Sequence, residues 1–226
     1  FFNNEVDIYN FNKLNLNNEA ANYFKMAADK GCLDAINNYA NILYSGEIVP
    51  QNFMEAVNLY KFAAEKGHID AMNNYANLLM KGIIIPKNED LALQLFRNAA
   101  DKGHRFAAYN LALLLEEKQP SSIDEIKKYL KMAADRYHNF AAYRYAQYLL
   151  KENNEVEAMK YLKMSADQGN EYSSYLYGKK NYFGESKNAS KNEGLSYIYD
   201  CCHYYSNPKA KMLKLMFNFE RSCNIF

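Results

Sequence analysis

Apolar residues along the middle of the chain recur at helical spacing. Ala71, Tyr75, Ala76 and Leu79 fall at i, i+4, i+5 and i+8 and line one helical face. After Gly82 a loop runs to Asn88. Ala92, Leu95, Phe96 and Ala99 then mark a second apolar face. The small residues Ala71, Ala76, Ala99 and Ala100 let two helix axes approach closely. Gly46, Gly82 and Gly184 stand where the first helix of such a pair ends, as C-cap glycines do. Gly31, Gly67, Gly103 and Gly169 do the same for the second helix. Each second helix opens on its own signal. Asn52 with Glu55, Ser122 with Glu125, Asn154 with Glu157 and Ser190 with Glu193 have capping-box spacing. The small polar side chain accepts from an orphan N–H, and the acid three residues on reaches back to the cap. Asn88 holds the same column but precedes Leu91, so half the box remains.

The helix pairs repeat. Met26-Ala27-Ala28-Asp29-Lys30-Gly31 returns as Phe62-Ala63-Ala64-Glu65-Lys66-Gly67 and as Asn98-Ala99-Ala100-Asp101-Lys102-Gly103. It returns again as Met132-Ala133-Ala134-Asp135-Arg136-Tyr137 and Met164-Ser165-Ala166-Asp167-Gln168-Gly169, with a degenerate copy at Asp200-Cys201-Cys202-His203. The second small residue of each copy falls at 28, 64, 100, 134, 166 and 202, spacings of 36, 36, 34, 32 and 36. A second motif follows each marker, as in Asn38-Tyr39-Ala40, Asn74-Tyr75-Ala76, Asn110-Leu111-Ala112, Arg144-Tyr145-Ala146 and Leu176-Tyr177-Gly178. Shortened loops before Ser122 and Asn154 account for the spacings of 34 and 32. The longer loops carry Ile48 and Val49, or Ile83 to Ile85, which are expected to tuck onto the neighbouring helices. A period in this range marks a helical-repeat array, so the fold class is all-α.

The run from Tyr44-Ser45-Gly46-Glu47-Ile48-Val49-Pro50-Gln51-Asn52, through Glu55-Ala56-Val57, to Leu59-Tyr60-Lys61-Phe62-Ala63-Ala64-Glu65-Lys66-Gly67-His68 resembles a Sel-one-like repeat (SLR), a relative of the tetratricopeptide repeats (TPR). The resemblance covers about residues 16 to 203. It implies a right-handed α-solenoid, or superhelix, of about six antiparallel helix pairs that serves as a protein-interaction scaffold. The chain reads as one solenoid over 1–226, with repeats at about 32–67, 68–103, 104–137, 138–169 and 170–205 and partial copies at 1–31 and 206–226. Phe1, Phe2 and Phe226 make poor polar caps for a solenoid. They suggest a fragment of a longer protein or one that pairs at its ends. Pro208 to Phe219 fits a final first-type helix.

Composition removes several classes. With 27 Lys+Arg against 26 Asp+Glu the net charge is +1, which supplies no basic stripe for nucleic acid. No apolar run approaches the ~18 residues of a membrane span. Trp is absent, yet there are 21 Tyr. The repeat places Tyr60, Tyr129, Tyr161, Tyr197 and Tyr23 in apolar columns of second helices, and Tyr39, Tyr75, Tyr145 and Tyr177 in one core column of first helices.

Chemistry has little support. His68, His104 and His138 occupy one repeat column, and stacked helix pairs lie roughly 10 Å apart, too far to share a metal at ~2.1 Å ligand distances. His203 has no partner in pattern. Cys32, Cys201, Cys202 and Cys223 lack zinc spacing and read as free thiols of a reducing compartment. Asn188-Ala189-Ser190 is a glycosylation sequon that matters only in a lumenal protein. No phosphate loop, nucleophile elbow or zinc-hydrolase stretch is present. No catalysis, cofactor or metal is therefore expected.

The resemblance places the first helix of each pair on the concave side. Its candidate partner-binding residues are Asn37, Asn38, Asn41, Asn73, Asn74, Asn77, Tyr109, Asn110, Tyr143, Arg144, Gln147, Tyr175 and Lys179. Asn offers both a donor and an acceptor, suited to the backbone of an extended peptide. Tyr109, Tyr143 and Tyr175 add rigid apolar contact. Arg144, Lys151 and Lys179 give the later half a basic tone. In a second reading of the Asn column, Asn74 bonds between adjacent helices. The expected function is a cytoplasmic scaffold or adaptor for a protein or peptide. A regulatory or targeting arm of a larger enzyme, and an ER-lumenal quality-control adaptor, are the alternatives, the last placing the chain in the ER lumen or outside the cell.

Overall fold

The computed structural model describes residues 18–186 and 189–204, with side chains as far as Cys201. The expectations for both chain ends, the sequon at Asn188, and the side chains of Cys202, His203 and Cys223 lie outside the described residues. Within them the chain is helix and loop with no strand. The helices are α1 (18–29), α2 (Leu33–Ser45), α3 (Phe53–Glu65), α4 (Ile69–Lys81), α5 (Glu89–Asp101) and α6 (Arg105–Lys118). They continue as α7 (Ile123–Ala134), α8 (Asn139–Lys151), α9 (Glu155–Asp167), α10 (Glu171–Tyr182) and α11 (Lys191–Tyr204). Even-numbered helices are the first helices of the pairs and odd-numbered ones the second. The chain divides into two compact units, Phe1–Ala107 and Ala108–Phe226.

In each unit consecutive helices pack on one another through alanine. Ala40, Ala56, Ala76 and Ala92 are fully buried in the first unit, and Ala112, Ala146 and Ala158 in the second. Such small side chains keep the helix axes close, and larger ones fill the flanks. Tyr60 and Leu43 do so between α2 and α3, with Val49, Ile84 and Ile85 of the loops packed against them. Ile83 departs from the expectation and stands in solvent. So does Tyr23, exposed on α1 although it shares a column with buried tyrosines.

The last pair takes the small-residue rule furthest. Gly178 and Gly194 stand where earlier copies have Ala146 and Ala158. A Cβ on Gly194 would lie 2.6 Å from the Gly178 carbonyl oxygen and 2.6 Å from the Tyr182 nitrogen. Only two glycines permit that approach.

The capping boxes divide by loop length. The Asn52 side chain accepts from the Glu55 N–H at 3.2 Å and donates to the Glu55 carboxylate at 2.8 Å. Asn88 accepts from Leu91 N–H at 3.0 Å, and Ser190 from Glu193 N–H at 3.4 Å. Ser122 and Asn154 make no such bond to a backbone N–H. Both follow shortened loops. Their ψ angles, 48° and 68°, fall short of the 86° and 89° at Asn52 and Asn88, so the side chain enters the helix at a different angle. Asn154 keeps only its contact with the Glu157 carboxylate, at 3.1 Å.

Candidate functional site

In the first unit the asparagine columns of α2 and α4 bond to each other. The Asn74 side-chain amide donates to Asn37 Oδ1 at 3.1 Å and to Asn41 Oδ1 at 3.4 Å. Tyr60 of α3 donates to the same Asn41 oxygen at 2.6 Å. Burial holds the Tyr60 phenol well above its usual range, with Tyr44 adding to the shift. Asn37 and Asn73 are buried, 4% and 8% exposed, whereas Asn38, Asn74 and Asn77 are half-buried and Asn41 is open to solvent. These bonds match the reading in which Asn74 ties adjacent helices together. They leave Asn41 as the candidate with an open surface in this unit.

The histidine column caps the first helices. The Nδ1 atoms of His68, His104 and His138 accept from the N–H of Ala71, Ala107 and Ala141 at 3.1, 3.0 and 3.2 Å. Asn170 takes the same role toward Ser173 at 2.9 Å. With Nδ1 accepting, the neutral ring carries its hydrogen on Nε2. That atom meets Asp34 in His68, at 2.9 Å, and Asp70 in His104, at 3.1 Å. His68 and His104 thus each start one repeat and bond to the one before. The column was legible in the sequence. Its capping role was not, because imidazole is outside the usual N-cap set. The fixed spacing of 34 residues from Asp34 to His68 and from Asp70 to His104 was the available signal.

The second unit holds its repeats together with tyrosine. The Tyr161 hydroxyl lies 2.7 Å from Lys131 Nζ and donates to Asp135 at 2.7 Å, and the Tyr161 ring meets Tyr145 edge-on at 4.8 Å. One repeat later the Tyr197 hydroxyl meets Lys163 and Asp167, and its ring meets Tyr177 at 4.9 Å. The bond to Tyr161 raises the Lys131 pKa, and burial pushes the Tyr197 phenol up to about 12. Burial also pushes on Asp135, but its bonds to Tyr161 and Lys131 outweigh that and leave its carboxyl below the ordinary range.

The candidates of the second unit sit on α6, α8 and α10. Tyr109 stacks on His138 at 4.4 Å, and Tyr143 stacks on Tyr172 of the next repeat at 5.9 Å. Gln147 is exposed and donates to the Tyr143 hydroxyl at 2.9 Å. Tyr109, Asn110, Tyr143, Arg144, Tyr175 and Lys179 are half-buried. Arg144 is ion-paired with Glu116, which also accepts from Tyr148 at 2.9 Å. Its charge is therefore already matched. Burial and Glu116 push the Tyr148 phenol up to about 12.

Two further residues belong to this face. Phe140 and Tyr172 are 51% and 53% exposed, one at the start of α8 and the other at the start of α10. Each lies three residues before a candidate tyrosine, Tyr143 or Tyr175, and so on the same side of its helix. The repeat register could have located them. Sequence reasoning passed over the column because its first two members, Asp34 and Asp70, are acids, although Phe106 of α6 also belongs to it.

Among the described residues no cluster of His, Cys, Asp and Glu is arranged to hold a metal. Cys32 is exposed, and Cys201 is buried with its thiol donating to the Glu171 carbonyl oxygen at 3.2 Å. A cleft near α11 is lined by Asp167, Glu193, Tyr197 and Asp200. Asp167 bonds to Tyr197, while Glu193 bonds to Lys163 and Tyr177, so these acids are engaged in structure. No described helix is long and apolar enough to cross a membrane.

Comparison with known proteins agrees with this architecture. No curated protein sequence matches the chain. A Sel1 repeat protein from Oxalobacter formigenes has a similar structure, with a TM-score of 0.76 and 19% identity over 91% of this chain and 84% of that one. The protective antigen c5321 of uropathogenic Escherichia coli, which displays an SLR fold, matches with a TM-score of 0.71 and 19% identity. That match covers 85% of this chain, which spans only 43% of the antigen. YrrB, described as a TPR protein with an unusual peptide-binding site, gives a TM-score of 0.51 at 17% identity over 87% of this chain and 99% of its own. At these identities the likeness establishes an all-α helical-repeat solenoid. The Sel1 repeat pattern itself matches residues 15–32, 33–68, 69–104 and 139–170, more than half of the sequence, and the chain belongs to the Sel1 repeat family.

Proposed function

We propose that this chain is a scaffold or adaptor that binds a protein or peptide through the exposed face of its first-type helices. The fold typically serves as a protein-interaction scaffold and is generally non-catalytic. The observation that carries the reading is the pair Phe140 and Tyr172. Both rings are more than half exposed, on helices whose opposite faces are buried through Ala142, Tyr145, Ser174 and Tyr177. Large exposed apolar side chains grouped on one face mark interaction surfaces. In this reading the contacts of the second unit come from that face and from Gln147; in the first unit Asn41 is the open candidate, while Asn37 and Asn74 hold its repeats together.

The test is affinity capture from the source cell with the chain and with Phe140→Ser/Tyr172→Ser. A control variant, Met54→Ser/Val156→Ser, removes exposed apolar groups from second-type helices instead. The expected result is loss of partners with the first variant only, at an unchanged melting temperature. Retention of the same partners by that variant rejects the assignment of the face.

A further inference from the structure

The first-type helices carry different chemistry at the same repeat columns. On α2 and α4 the exposed stripe bears Asp34 and Asp70, with Asn41 and Asn77 further along. On α8 and α10 those columns bear Phe140 and Tyr172, then Gln147 and Lys179, and Lys151 closes α8. No carboxylate stands in the second stripe. Lys151 and Lys179 have no ion-pair partner among the described residues, although Lys151 lies over the Tyr148 ring at 5.4 Å. Nearby lysines differ, for Lys127 is held by Glu152 and Lys180 by Glu155.

The backbone at Tyr137 is a separate observation. Tyr137 has φ of 62° at a column where Gly31, Gly67, Gly103 and Gly169 have φ between 83° and 92°. That region favours glycine, and a tyrosine there is strained. The ring is 71% exposed, so no burial offsets the strain. It stands three residues before Phe140, in the turn that leads into α8. An exposed ring kept at a backbone cost, three residues from exposed Phe140, points to a surface that is used.

We infer that this stripe binds an extended acidic peptide segment bearing an aromatic side chain. This rests on the scaffold reading and names the partner's chemistry. The ring lies against Phe140, Tyr143 and Tyr172, where the 5.9 Å stack joins two repeats into one platform. The carboxylate meets Lys179, a cation that no acid among the described residues satisfies. Tyr172 and Lys179 are seven residues apart on α10, about 10 Å at the helical rise. A peptide lying along the stripe covers that in about three extended residues. Its ring and acid therefore stand about three positions apart.

The experiment uses the whole chain and labelled peptides of equal length, read by fluorescence anisotropy. One peptide carries Asp and Phe three positions apart, one replaces Asp by Lys, and one replaces Phe by Ala. A single-stranded oligonucleotide is the fourth probe. The Asp/Phe peptide is expected to bind about tenfold more tightly than the others and to weaken as salt rises. Lys179→Glu should lose that preference and shift it toward the Lys peptide, and Phe140→Ser/Tyr172→Ser should weaken binding, both with unchanged melting temperatures. Equal binding of the Lys peptide, tighter binding of the oligonucleotide, or indifference to Lys179→Glu would overturn the inference. If no probe binds while captured partners still depend on Phe140 and Tyr172, the acidic aromatic ligand is wrong and the scaffold reading stands. If capture is also indifferent to those two residues, both fall.

Discussion

His104 joins two repeats with one ring. Its Nδ1 caps α6 and its Nε2 meets Asp70 of the preceding repeat, which requires the neutral form. Burial lowers its pKa and Asp70 only partly opposes this. The folded state therefore binds this proton less readily than the unfolded chain, where the value is about 6.5. The stability that His104 contributes is full above that pH and is lost as pH falls through and below it. Thermal melts at about pH 7.5 and about pH 5.5 should show the loss, and His104→Asn, which keeps an acceptor at the cap, should reduce it. His104→Ala should cost about 1 kcal/mol even at the higher pH. Tyr137 supplies the opposite case. Tyr137→Gly should raise stability by about 1 kcal/mol in denaturant titration by removing left-handed strain. The same change should weaken the Asp/Phe peptide if the exposed ring is used in binding. The Gly column was plain in the sequence, and so was the tyrosine that breaks it. That the chain keeps the left-handed turn there was visible only in the structure.

At the scale of helices, the shared period implies shared packing, and Gly178 with Gly194 shows where contact is tightest. Gly194→Ala should destabilise the last pair by about 1–3 kcal/mol, because the new methyl meets backbone that cannot rotate away. Calorimetry on that variant checks the estimate, and a neutral result would mean that α11 shifts freely. Between α2 and α4 the critical group is Asn74. Asn74→Ala removes a donor from buried Asn37 and from Asn41, an expected loss of about 1–3 kcal/mol in chemical denaturation. Helix positions and most ends were legible from apolar spacing and glycine caps. The absent caps at Ser122 and Asn154 were not, because capping-box spacing of cap and acid says nothing about the ψ angle set by a shortened loop. The Tyr161 and Tyr197 bonds to Lys and Asp of the preceding repeat were also missed. Their columns were read for apolarity alone, and the hydroxyl at the end of each ring was left unplaced.

Across the whole chain, near-neutral charge conceals an uneven distribution. The first-type helices of the first unit present acids and amides, and α8 and α10 of the second present rings and two lysines, Lys151 and Lys179, with no acid partner among the described residues. A ligand of the proposed kind should therefore slow amide exchange in α8 and α10 and leave α2 and α4 unchanged, a pattern that hydrogen exchange on the full chain reads directly. The sequence by itself determined the all-α class, the helix pairs and their register, because a period of 32 to 36 residues with small residues at the crossings sets which face of each helix is buried. It also marked the asparagine and tyrosine columns of the first-type helices, though not the column that holds Phe140 and Tyr172. Tertiary structure decided which members of those columns are open. Asn37 and Asn73 are covered and Asn74 and Arg144 are bound by neighbouring repeats, whereas Phe140 and Tyr172 are open to solvent. The reason is physical: helical phase fixes the side of a helix on which a residue lies, but only the next repeat fixes whether that side is covered.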